Sequence, residues 1–184
     1  VKLILASLVL AFIATPAMAA DAGSLNCIET RLGSESMARI GTRVIAAVDT
    51  GEPLDTSLDL DREAVIAARN ACRTANKWSN AATETAMSYT KAGASLIGGE
   101  AAVKADGLDP VALKAIYAAL AIDDRRSASL APPLTKAALT VITNAAAGAK
   151  PADTAARSRV LRHVIAYFAS LSGREFYPAE FAAE

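Results

Sequence analysis

The chain has one histidine, His163, and its neighbours make it the first residue to consider for chemistry. Arg159, His163 and Tyr167 recur every four residues, and Arg162 sits beside them. On a helix that spacing puts a guanidinium, an imidazole and a phenol on one face. Such a face can bind a carboxylate or phosphate, or move a proton with the help of a carboxylate from another helix. The competing reading is a boundary stripe, in which the arginine stem and tyrosine ring pack and the histidine stands at the solvent edge. The second reading describes many helices, so the four residues are held as ligand-binding candidates and no catalytic residue is assigned.

Other chemistry lacks its residues. With one histidine and two cysteines, the ligand sets of zinc and haem-attachment motifs cannot be assembled, and neither a metal nor a cofactor is expected. Asp55, Asp59, Asp61 and Glu63 resemble a calcium loop in density only, because the central glycine and distal glutamate are missing. Helix capping accounts for them more simply. Gly98-Gly99 lacks the Gly-Lys-Ser/Thr ending of a phosphate loop and reads as a helix break. There is no Gly-x-Ser-x-Gly elbow. Glycoside cleavage needs two acids at a set separation, and Glu29, Glu35, Glu63, Glu84 and Glu100 cannot be paired from sequence. Asp123-Asp124-Arg125-Arg126 reads as self-paired charges in a loop, and Arg174-Glu175 with Phe176-Tyr177 as a docked tail.

Composition narrows the classes further. Of 184 residues, 53% are hydrophobic, and 19 basic residues balance 19 acidic ones. That is too apolar for disorder and too neutral for nucleic-acid binding or a polybasic membrane surface. Aromatics are 5% with one tryptophan, which is thin for carbohydrate stacking or a large protein interface. Alanine-rich helices pack closely, so a roomy apolar pocket is not expected.

Residues 1–19 read as a cleaved signal peptide. Lys2 supplies the positive start, Leu3 to Thr15 the apolar run, and Ala17-Met18-Ala19 the small residues before cleavage after Ala19 or Ala20. The run is too short to span a bilayer, which takes roughly 20 residues. An initial valine suits a GTG start translated literally, hence a bacterial source. The expectation is a periplasmic or secreted protein with no transmembrane segment after leader removal. In that compartment Cys27 and Cys72 are expected to form a disulfide. Closing a loop of about 45 residues stabilises by roughly 4 kcal/mol in the chain-entropy account. Lipidation of Cys27 is the alternative, but Asn26 fits badly before a lipidated cysteine and Cys72 would be stranded.

The elements that must position these residues are helices. Alanine is abundant, strand-like alternation is absent, and apolar residues recur at helical spacing. The pattern predicts an all-α, single-domain bundle of about six helices over residues 20–184. A short turn from Leu25 to Leu32 stops at Gly33, and a helix follows to Asp49 with Met37, Ile40, Val44 and Val48 inward. A helix from Asp59 or Asp61 buries Val65, Ala68, Cys72 and Ala75. A third, capped by Ser79 after a turn at Trp78, reaches Ile97 with Ala82, Ala86, Tyr89 and Gly93 on one side. Asp109-Pro110 starts a fourth with Leu113, Ile116, Tyr117 and Leu120 buried. Pro132-Pro133 opens a fifth with Leu134, Ala138, Val141 and Ile142 inward. The last runs from Asp153 to Ser172 and ends at Gly173, burying Leu161, Val164, Ile165, Phe168 and Leu171.

Two related three-helix halves are a further expectation. Leu32 to Met37 and Ile40 match Leu108 to Leu113 and Ile116, and at the same offset Val65-Ile66 meets Val141-Ile142. Ala86 to Tyr89 meets Val164 to Tyr167 two residues further on.

Together these features predict an exported helical protein that binds a protein partner or small ligand without catalysis. The alternative is a small periplasmic hydrolase or lyase using carboxylates, with or without His163. A purely structural envelope protein is a third reading. The alanine-rich faces suit a sealed dimer as well as a monomer.

Overall fold

The computed structural model describes residues 20–52, 61–129 and 134–184. The predicted leader, Asp55 and Asp59, and the Pro132-Pro133 start therefore lie outside the described residues. Within them the fold is all-α, with no strand. After a 3-10 turn at Ala22–Ser24 come α1 (Cys27–Thr50), α2 (Arg62–Asn76), α3 (Asn80–Ala105) and α4 (Pro110–Ala118). Then follow α5 (Ile122–Ser127), α6 (Lys136–Ala147) and α7 (Thr154–Ala182).

Local signals set most helix starts. The side chains of Ser79, Asp109, Thr135 and Asp153 each accept a hydrogen bond from a backbone N–H of the first turn, which satisfies donors that a helix leaves open. Gly33 breaks α1 with φ 73° and ψ 166°, so the predicted stop is present as a kink. The segments matched in sequence, around Gly33 and at Asp109-Pro110, are both places where a helix begins.

Those two long helices form the centre of the bundle. They run antiparallel, since Asp106 near the end of α3 meets His163, and Thr85 near its start bonds Glu184 beyond the end of α7. One core layer between α7 and α3, α4 and α6 contains Val103, Leu113, Tyr117, Ile142, Val164 and Phe168. Another gathers Leu25, Ile28, Cys72, Trp78, Ala82 and Phe181 at the opposite end. Trp78 meets Phe181 edge-on at 5.4 Å and donates from its indole nitrogen to Ser24. The Cys27–Cys72 disulfide lies in this second layer and ties α1 to α2.

Several sequence expectations are corrected by packing. The Gly98-Gly99 pair does not break α3. A methyl group on Gly98 would collide with the Gly41 carbonyl, and one on Gly41 with that of Ala94. The glycines instead let α1 and α3 cross backbone to backbone. Gly173 likewise does not end α7, because the ring of Tyr177 and the methyl of Ala92 cover it. The helix continues through Pro178, so the predicted docked tail is the last turns of α7. Ala75 is exposed, and Ile116 is 36% exposed. The Asp123–Arg126 segment is the short helix α5 rather than a loop, giving seven α-helices among the described residues. No described helix is long and apolar enough to cross a membrane.

Candidate functional site

Two neighbouring features on α7 share Arg162. The first is an ionic cluster around His163. The ring is 5% exposed, not at the solvent edge. Its Nδ1 lies 2.6 Å from Oδ2 of Asp106 and its Nε2 3.0 Å from Oδ1 of Asp49. A carboxylate oxygen only accepts, so both contacts are hydrogen bonds when both ring nitrogens carry hydrogen, as in the imidazolium. Asp106 ends α3 and Asp49 lies in the last turn of α1, so one imidazole joins three helices. Arg159 stands 3.6 Å from Asp106 and Arg162 3.9 Å from Asp49. The two arginines and the ring thus surround the two carboxylates.

The predicted face is therefore brought together, but its fourth member serves another end. Tyr167 is buried against Gly99, and its hydroxyl donates to the Pro110 carbonyl. Burial raises its pKa, with the charges of Glu100 and Asp109 adding to the effect, so it stays a neutral phenol. Asp49 and Asp106 escaped the sequence reading. They stand at helix ends far from His163 in the chain, and nothing local marks them as its partners.

The second feature is a groove of about 480 Å³ between α1, α3 and α7. Its presence corrects the expectation that alanine-rich packing leaves little room. Small residues permit close approach at Gly41–Gly98, but beside Ala92, Ala166 and Ala169 they leave space unfilled. Val44 and Val48 form the α1 wall, Ala92 and Ser95 the α3 wall, and Ile165, Ala166 and Ala169 that of α7. Tyr177 closes one end, and Lys91 and Arg162 are its charged residues. No aspartate or glutamate lines it among the described residues.

Several other charged groups are matched internally. Arg125 donates to Glu175 through Nη2 at 2.9 Å, and the Tyr117 hydroxyl donates to the same carboxylate at 2.7 Å. Asp124 accepts from Thr135. The expected self-pairing within Asp123–Arg126 is thus replaced by contacts to other helices. Arg174 pairs with Glu29 and lies 3.7 Å over the Tyr89 ring. Asp61 does not cap α2 with its side chain. It takes Arg39 at 2.9 Å and faces Arg43 at 3.6 Å. Among the described residues no three His, Cys, Asp or Glu side chains are placed to hold a metal ion.

Comparison with known proteins adds no further assignment. No protein family, characterised protein or solved structure matches the chain.

Proposed function

We propose that the chain is an exported, non-catalytic binding module that holds a small molecule in the α1/α3/α7 groove. The groove carries this reading: about 480 Å³ falls within the usual range for small-molecule sites, roughly 300–1,000 Å³. Its apolar walls and few polar groups have the make-up of a site that buries a ligand and orients it. The disulfide supports an oxidising compartment, and residues 1–19 supply the leader that would take the chain there, leaving a periplasmic or secreted bacterial protein.

The alternative, a hydrolase or lyase using carboxylates with or without His163, is less well supported. Both nitrogens of His163 face protein carboxylates, so the ring has no free nitrogen with which to take a substrate proton.

The test is expression of the full chain in a bacterial host, followed by native mass spectrometry of the exported fraction. A mature chain beginning at Ala20 or Asp21, with a small non-covalent adduct lost in the groove-filling variant Ala169→Phe, is the expected result. A chain kept uncleaved in the cytoplasm overturns export. An adduct-free protein that binds nothing from a small-molecule library overturns the binding reading.

A further inference from the structure

Among the described residues, three buried side-chain atoms have no hydrogen-bond partner: Nη1 of Arg43, Oδ2 of Asp61 and Nε of Arg162. The first two face each other at 3.6 Å and offset one another's charge. The Arg162 Nε has no such counterpart. The other contacts of Arg162 are long, 3.4 Å to the Asp49 carbonyl and 3.9 Å to its carboxylate. That carboxylate is held by His163 at the shorter 3.0 Å. A guanidinium has five N–H donors, and here a buried one is unused on a residue lining a groove that has no acid among its described residues. A buried unsatisfied donor needs a physical account. The Arg162 side chain as a whole is 42% exposed, and an anion in the groove toward which the guanidinium turns would supply the missing partner.

The rest of the groove indicates what that anion is attached to. From Arg162 the α7 wall runs through Ile165, Ala166 and Ala169 to Ser170, about 12 Å along the helix at 1.5 Å per residue. Val44 and Val48 face it across the space. An unbranched chain with one charged end matches an apolar trough in which Arg162 offers an unused donor, while Lys91, the other cation lining it, is engaged in an interaction of its own. Two other clefts do not offer this chemistry. In one Arg174 is committed to Glu29, and in the other Arg125 to Glu175.

We infer that the groove binds a medium-chain aliphatic carboxylate, with the carboxylate on Arg162 and the chain along the α7 wall. This deepens the binding reading above and rests on it. The experiment is isothermal titration of the mature protein with decanoate and with decanol, which share a chain and differ in charge. Arg162→Met and Ala169→Phe, shown to be folded by their melting curves, are titrated in parallel. Decanoate is expected to bind at least tenfold more tightly than decanol. Arg162→Met should remove that advantage and leave decanol unchanged, and Ala169→Phe should weaken both. Equal binding of the two ligands by the wild type, or an advantage that survives in Arg162→Met, overturns the carboxylate assignment while leaving the groove as a binding site. Absence of binding for both ligands overturns the assignment and the groove reading together.

Discussion

Asp106 holds Nδ1 of His163 at 2.6 Å, and both side chains are almost wholly buried, at 5% and 6% exposure. This contact joins the last turn of α3 to the middle of α7, and Asp49 extends it to the end of α1. Removing one member of such a set leaves the other buried without its partner, which costs more than the pair itself contributes. His163→Ala is therefore expected to destabilise the protein by about 3 kcal/mol, measured by urea denaturation. A loss under about 1 kcal/mol, the range of exposed pairs, would show that the cluster has no structural weight.

The crossing of α1 and α3 gives a sharper steric prediction. Gly98→Ala places a methyl against backbone rather than a side chain that can swing away. The helices must part, at a cost of about 2 kcal/mol or more. Helix propensity alone favours alanine by about 1 kcal/mol, so the sign of the change decides between the two effects. A stabilised Gly98→Ala variant in a melting experiment would mean that α1 and α3 do not cross at this point.

Acid stability should depend on Glu175. Burial works against its ionisation, but the hydrogen bonds from Arg125 and Tyr117 outweigh that and hold its pKa below the usual value. A carboxyl depressed in the folded state adds stability above its unfolded pKa, and that stability is lost as pH falls through the folded value. Glu29 runs the other way: burial pushes its pKa up, against the opposing charge and hydrogen bond of Arg174. Its contribution is present at low pH and lost as pH rises through the folded value. In melting curves from pH 3 to 7, Glu175→Gln should flatten the acid decline and Glu29→Gln should steepen it. Identical slopes for both variants would refute the assignment of signs.

The disulfide is the remaining lever. Cys72 is fully buried and the bridge closes a long loop, so the Cys27→Ser/Cys72→Ser double variant should lose up to about 4 kcal/mol. Thermal unfolding with and without a reducing agent would measure it. Wild-type protein should lose stability on reduction, and the double variant should be insensitive. A wild type unaffected by full reduction would show that the core around Trp78 and Phe181 holds that end alone.

Much of the helical framework was legible in the sequence because its determinants are local. Ser79, Asp109 and Asp153 cap the helices their positions announce, Gly33 interrupts α1, and Met37, Ile40 and Val44 repeat at the spacing of a buried face. The disulfide was legible from an even cysteine count. Misreadings occurred where a residue's meaning depends on what lies opposite. Gly98, Gly99 and Gly173 look like helix ends because isolated glycine weakens a helix, yet each is covered by a neighbouring helix, and at Gly98 and Gly173 the contact requires the small residue. Asp61 looks like a cap and instead serves Arg39 and Arg43.

The site divides in the same way. Sequence spacing alone put Arg159, His163 and Tyr167 on one helix face beside Arg162, since helical periodicity is a property of consecutive residues. Only tertiary structure decided that the face turns inward, that Asp49 and Asp106 close on both imidazole nitrogens, and that Tyr167 packs on Gly99. It also decided the groove, because an unfilled space depends on how three helices pack. That packing is set by contacts between distant segments, Gly41 with Gly98 and Ala92 with Gly173 among them, and no stretch of consecutive residues encodes it.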